Sequence, residues 1–332
     1  MQSLRPPRVF IPTARPVVWT LALLLLAGAC DFQRTVDIQA PTHEPKLVVN
    51  GEIVAGAPWR IDVSRSVGAF QPGMPSDTAS TVRDATVTVF EEGERQGQLP
   101  LDSLDQYSTR QFTPEAGRQY TIRVSASELD TVTATDRVPR MPPVQFSVGE
   151  IQPENDYYER ALRLMIDDPP DAKNYYHIWL QNKGYRSDST SVDTLGLTDV
   201  DFRTRSRSII DEMEQVLEEA NAYQGYEATF RDVLFGGTEH TIGLQVPEGT
   251  GEGNFYLPDE EEGDGYPRIK YVLYVSALSE DAYRFDHTQR LFDRTDENPF
   301  AEPVDVHSNM DGGYGIVAGR HTDTLRAEVV LE

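Results

Sequence analysis

Short runs of strictly alternating apolar and polar residues, repeated at close spacing, restrict the fold of this chain more than any other feature. Trp59, Ile61 and Val63 alternate with Arg60, Asp62 and Ser64, and Ala85, Val87 and Val89 alternate with Thr86 and Thr88. Tyr120, Ile122 and Val124 alternate with Thr121 and Arg123, and Val132 and Ala134 with Thr131, Thr133 and Thr135. A period of two sends every second side chain to one face, so each run predicts a strand with one buried and one wet face. Several such strands with no helical stretch between them imply an antiparallel β-sandwich over residues 46–140, of the immunoglobulin-like or transthyretin-like kind. Leu47-Val48-Val49 is expected to end at the turn dipeptide Asn50-Gly51. Pro114 and Gly117 are expected to turn the chain into the strand that starts at Tyr120.

The segment Arg137-Val-Pro-Arg-Met-Pro-Pro143 holds three prolines, which cannot donate to a ladder, and marks the best domain boundary. Residues 141–332 then read as a second, mostly-β domain with helices near 206–222 and 280–292. Ser208 is placed to cap the first of these, with Asp211 three residues on and Ile209, Ile210, Met213, Val216 and Leu217 at helical spacing. Leu162, Leu164 and Ile166 form a strand ending at Asp167-Asp168, and Tyr176, Ile178 and Leu180 another. Ile269 to Leu278 is apolar on both faces and predicts a central strand, and Leu325 to Leu331 predicts a last one.

The chain has one cysteine, Cys30. Three arginines (Arg5, Arg8, Arg15) precede it without any acid, followed by an apolar stretch from Val17 to Ala27 and the small residues Ala27-Gly28-Ala29. That is a positive n-region, a short h-region and a small-residue cleavage site, too short for a membrane-spanning helix. The pattern predicts a lipoprotein signal peptide over residues 1–29 and lipid attachment at Cys30, with residues 30–45 as a polar tether to the first domain. The alternative is a plain secretory signal with an unmodified cysteine. Several acyl chains on Cys30 would hold the protein to a membrane, whereas one binds only marginally.

Removing residues 1–29 leaves a body of net charge −27 with no cysteine beyond the lipid-bearing Cys30, hence without disulfides, thiolate metal sites or a thiol nucleophile. Such a surface repels nucleic acid. Only four lysines (Lys46, Lys173, Lys183, Lys270) stand among the 30 basic residues, and abundant acid with scarce lysine fits a salty medium that screens self-repulsion.

Known catalytic motifs are missing: there is no G-x-S-x-G elbow, phosphate loop, H-E-x-x-H or dinucleotide fingerprint. His43, His177, His240, His287, His307 and His321 are scattered and read as surface or structural residues, so no metal, cofactor or catalytic residue is assigned. Asp259-Glu260-Glu261-Glu262-Gly263-Asp264-Gly265 offers oxygens to calcium but reads more simply as a solvated loop. His307-Ser308-Asn309-Met310-Asp311-Gly312 resembles half a calcium loop and fails at its first and twelfth positions. Tyrosines are concentrated in the second half (Tyr157, Tyr158, Tyr175, Tyr176, Tyr223, Tyr226, Tyr266, Tyr271, Tyr274, Tyr283), which suits either a recognition surface or core packing.

Four blocks carry a resemblance. They are Glu44 to Gly51 with Trp59 to Arg65; Val82 to Phe90 with Phe112 to Val124 and Val132 to Pro139; Asp232-Val-Leu-Phe-Gly-Gly237; and Asn298 to Gly319. In these the chain resembles a lipoprotein family of the Bacteroidota known as a domain of unknown function, number 4249. The resemblance implies a cell-envelope lipoprotein, of a kind often encoded near outer-membrane receptors for energised import, and transfers no catalytic residue.

The expected function is therefore a lipid-anchored cell-envelope binding or accessory protein at the outer membrane, partnering an import receptor. The alternatives are an envelope hydrolase using carboxylates and a structural or adhesive surface lipoprotein. A close carboxylate pair of raised pKa in a deep pocket would favour the hydrolase, and a tyrosine-lined face would favour binding.

Overall fold

The structure is a computed structural model that describes residues 43–68, 80–154, 157–170, 172–187, 192–194, 197–213, 216–217, 222–248, 268–296 and 302–330. Cys30 and the acidic stretch 259–265 lie outside these residues. The alternating runs are strands: β1 (Leu47–Val54), β2 (Trp59–Arg65), β3 (Thr86–Glu91), β4 (Glu94–Leu99), β5 (Tyr107–Thr109), β6 (Gln119–Ala126) and β7 (Leu129–Arg137). β8 (Val144–Glu154), β9 (Tyr157–Asp167), β10 (Tyr175–Ser187), β11 (Val192–Thr194), β12 (Thr198–Asp199) and β13 (Phe202–Thr204) follow. A single helical turn, α1 (Arg207–Ile210), precedes β14 (Val216–Leu217), β15 (Ala222–Gly225), β16 (Glu227–Arg231) and a 3-10 turn at Asp232–Leu234. The chain continues through β17 (Glu239–Glu248), β18 (Arg268–Leu278), helix α2 (Glu280–Asp296), β19 (Met310–Asp311) and β20 (Tyr314–Val330).

The fold is mainly β, built from three sheets in a sandwich-like arrangement. A nine-stranded sheet runs β11-β10-β18-β20-β1-β2-β5, with β12 and β16 also pairing β10. A six-stranded sheet runs β14-β15-β13-β17-β9-β8 and a five-stranded one β19-β7-β6-β3-β4. Residues from 43 onward form one compact unit with two hydrophobic clusters. In the first, Val49, Ile53 and Ile61 of β1 and β2 are buried with Val87, Ile122 and Val132 of the five-stranded sheet. Trp59 stands edge-on to Tyr120 at 5.3 Å within this cluster. In the second, Tyr176, Ile178 and Leu273 of the large sheet are buried with Leu162, Leu164, Ile242 and Phe202 of the six-stranded one. The alternation thus does what the period-two argument requires, since the inward residues of β2 and β6 are all buried.

The large sheet contributes to both clusters because β20 passes through both. Its first part pairs in parallel with β1, from Val48↔Tyr314 to Val54↔Arg320. Its remainder pairs antiparallel with β18, from Leu278↔Arg320 to Arg268↔Val330. Val317 is buried in the first cluster, and Leu325 and Val329 pack on the second. The expected last strand is therefore the C-terminal portion of a 17-residue one. Within the described part of the block 298–319, β19 pairs with β7 and the start of β20 with β1, so these residues seal the first cluster.

A buried polar knot holds this seam. Asp136 Oδ2 accepts the Ser279 hydroxyl at 2.5 Å and the Gly319 N–H at 2.7 Å. Burial pushes the Asp136 carboxyl above its ordinary value, an effect these donors partly offset. Asn309 bonds both backbone groups of Val317, at 2.9 Å and 3.1 Å, and His307 Nε2 lies 2.8 Å from Asp281 Oδ1 on α2. These bonds occupy His307 and Asn309 of the half calcium loop.

Two expectations fail. Asn50-Gly51 is not a turn but lies inside β1, where Asn50 pairs with Asp62; β1 continues because Ile53 extends the same buried face. The helix expected near 206–222 is only the turn Arg207–Ile210, and Val216–Leu217 and Ala222–Gly225 are strands. Ser206, not Ser208, precedes that turn and makes no capping bond, while Ser208 is buried within it. Ile209, Ile210 and Met213 reach the core, but from a turn and the residues after it, and the chain then pairs with β13 through β15. The second expected helix is α2, which runs four residues past 292.

Candidate functional site

The bend from β15 to β16 places Tyr223, Gly225, Tyr226 and Glu227 opposite the C-terminal half of α2. Between them lies a cleft of about 330 Å³, also lined by Glu212, Met213, His287, Arg290, Leu291, Asp293 and Arg294. That volume is at the lower end of ligand sites, which run from about 300 to 1,000 Å³.

α2 begins at Ser279, whose hydroxyl accepts the Ala282 N–H at 3.1 Å. Its first turn carries Glu280 and Asp281, as the helix dipole favours. Tyr283 anchors it to the sheet: its ring stacks on Tyr175 at 4.8 Å and on His287 at 5.9 Å, with the Arg231 guanidinium 5.7 Å from its centre. The Tyr283 hydroxyl donates to Glu212 Oε2 at 2.6 Å, and Arg231 pairs with Glu212 Oε1 at 2.7 Å. Burial, then the bond to Glu212, push the Tyr283 hydroxyl well above its usual range, so it stays a donor. The buried Tyr223 hydroxyl donates to the Glu227 carbonyl and fixes the bend.

Glu227 Oε2 lies 3.2 Å from His177 Nε2. That bond holds the Glu227 carboxyl below its ordinary value, against the opposing effect of burial. A depressed carboxyl pKa contributes stability above the unfolded value that is lost as pH falls through the folded one. Glu227→Gln is therefore expected to lose less stability than the parent as pH falls from about 5 to about 3. Melting temperatures across that range check this, and parallel acid profiles would refute it. On α2, Arg290 Nη1 donates to Asp286 Oδ2 at 2.7 Å, while Nη2 is buried and has no partner among the described residues. A buried N–H without an acceptor is costly, so an occupant of the cleft that supplies one gains from it.

Among the described residues, the two carboxyls of raised pKa lie elsewhere. Asp136 is in the β20 seam, and Asp232 opens the 3-10 turn of the Asp232-Val-Leu-Phe-Gly-Gly237 block. Burial raises Asp232, whose Oδ2 accepts the Asn174 N–H at 2.8 Å. Beside it the buried Asp168 accepts the Tyr176 hydroxyl and, at 2.9 Å, the Gly237 N–H. That block is thus an architectural knot.

Of the tyrosines noted in the sequence, Tyr266 lies outside the described residues, Tyr157 and Tyr158 begin β9, and the others divide by role. Tyr176, Tyr223 and Tyr271 are core residues, Tyr175 and Tyr283 form the stack, and Tyr274 stacks on Trp179 at 5.0 Å. Tyr226 is exposed at the cleft mouth. Sequence reasoning did not single out Glu212, Glu227 or Arg290 and read His287 as a surface or structural residue. Arg290 and His287 carry a local signal, their helical spacing from Asp286 and Tyr283. Among the described residues no three His, Cys, Asp or Glu side chains gather as metal ligands, and no helix is long and apolar enough to cross a membrane.

No curated protein matches this chain. The family model for a domain of unknown function, DUF4249, matches residues 33–326, which is nearly all of the two-cluster body described above, and the chain belongs to that family.

Proposed function

We propose that this chain is a lipid-anchored cell-envelope binding protein of Bacteroidota type, tethered to the outer membrane through Cys30 and acting beside an import receptor. The observation that carries the binding role is the cleft under α2. It combines exposed Tyr226, a positioned Tyr223 and a buried Arg290 N–H with room for an acceptor, while both its glutamates are already bonded. The carboxyls of raised pKa, which general acid–base work would use, sit in structural knots away from it. The signal-like segment and Cys30 support the anchor, and the family resemblance supports the envelope setting.

The test is in-cell cross-linking followed by affinity recovery from gently solubilised membranes. Wild type is expected to bring down an outer-membrane protein cross-linked near Tyr226, and Tyr226→Ala combined with Arg290→Ala to lose it. Recovery of the lipoprotein alone, under conditions that preserve other envelope complexes, overturns the accessory role. Cys30→Ala is expected to move the protein out of the membrane fraction, and unaltered pelleting overturns the anchor.

A further inference from the structure

The outer face of the six-stranded sheet carries a second hollow, distinct from the cleft under α2. Leu162, Leu164, Ile242 and Leu244 point inward from β9 and β17, so Ala161, Arg163, Gly243 and Gln245 face the other way. Gly243 pairs with Arg163, and a Cβ built on Gly243 would meet nothing within 4 Å. The missing side chain leaves a floor in a hollow of about 610 Å³, with Arg163 on one side and Arg205 and Arg207 on the other. Arg207 also pairs with Asp211 at 3.0 Å, an exposed contact that a competing carboxylate can share. Leu234, 56% exposed, completes the rim, and its neighbour Val233 is 68% exposed. Both sit on the 3-10 turn that the Asp168 and Asp232 bonds immobilise.

Three guanidinium groups line one hollow of a chain of net charge −24, and Arg205, like Arg207, already has a partner whose contact an incoming carboxylate would share. Guanidinium forks match carboxylates in a plane, which ammonium groups do not. A rigid, exposed Val-Leu pair next to them asks for an apolar neighbour. We infer that this face binds an acidic peptide segment of a partner protein, its carboxylates on Arg163, Arg205 and Arg207 and an apolar side chain against Val233 and Leu234. The apolar rim favours such a segment over inorganic phosphate or a uronate glycan, which would leave that pair uncovered.

The experiment is fluorescence anisotropy of the full chain in neutral detergent with a labelled peptide of alternating Glu and Leu. Saturable binding that weakens with salt is expected. Gly243→Phe, which fills the hollow without backbone strain, and Arg163→Glu with Arg205→Glu should each weaken it by about tenfold or more, whereas Tyr226→Ala should not. The charge-reversal pair keeps the test decisive if Gly243→Phe lowers the melting temperature. No saturable binding, or binding that both sets of variants leave unchanged, overturns the proposal. Equal affinity for a uronate oligosaccharide, or for the peptide with Ser in place of Leu, overturns the peptide assignment.

Discussion

Replacing Gly315 by Val is expected to leave the protein largely unfolded, because no side chain fits where β20 meets β1. Gly315 has φ +104°, and a Cβ there would lie 2.2 Å from the Val49 carbonyl oxygen and 2.8 Å from Asn50 Oδ1. The same Asn50 oxygen accepts the Ile316 N–H at 3.2 Å, so relieving the clash breaks the register on both sides. A β-branched residue at positive φ and a lost parallel pairing together cost at least about 3 kcal/mol, a large part of a domain's stability. Denaturant unfolding followed by circular dichroism measures this. A Gly315→Val protein that melts with the parent would show that β1 and β20 do not need to approach so closely.

The second large effect is expected at Asp168. Asp168→Ala removes the acceptor of the Tyr176 hydroxyl and of the Gly237 N–H, both inside the second cluster's polar edge. Two stranded donors cost about 3–5 kcal/mol, whereas Asp168→Asn keeps an acceptor and costs less. Burial, then the bond to Asp168, raise the Tyr176 hydroxyl far above the physiological range, so it remains a donor that needs a partner. Adding Tyr176→Phe to Asp168→Ala should therefore cost less than the sum of the two single changes. Urea unfolding of all four proteins decides it, and an Asp168→Ala change within about 0.5 kcal/mol of the parent would exclude the knot as a stabilising unit.

Much of the fold was legible in the sequence because its strands are wet on one face. Trp59, Ile61 and Val63, and Tyr120, Ile122 and Val124, carry a period that only a half-buried strand produces. The helix misplaced at 206–222 shows where periodicity stops discriminating. Ile209, Ile210, Met213 and Val216 are spaced for a helix, yet a turn and the residues after it bury Ile209, Ile210 and Met213 at the same intervals. The reach of β20 was hidden by Arg320, His321 and Asp323, whose polar side chains carry no apolar alternation. In the fold they lie on strand positions paired with β18, and His321 Nδ1 accepts the Met141 N–H at 3.0 Å. The cleft was illegible for another reason: Tyr226 and Arg290 are far apart in sequence, and only the packing of α2 on the sheet brings them to one site.

The parallel pairing of β1 with β20 also sets how the body bears a load. β1 begins at Leu47, directly after the segment that leads in from the N-terminus, and is hydrogen-bonded along both edges, to β2 and to β20. A pull on that leading segment runs along the axis of β1, so the ladder bonds are stressed in shear, together, and cannot open one after another as in a peeled hairpin. Because β20 continues into the pairing with β18, the tension passes from one hydrophobic cluster to the other along covalent backbone. The two hydrophobic clusters therefore share mechanical strain as one body, and forced unfolding of either should release both in a single event.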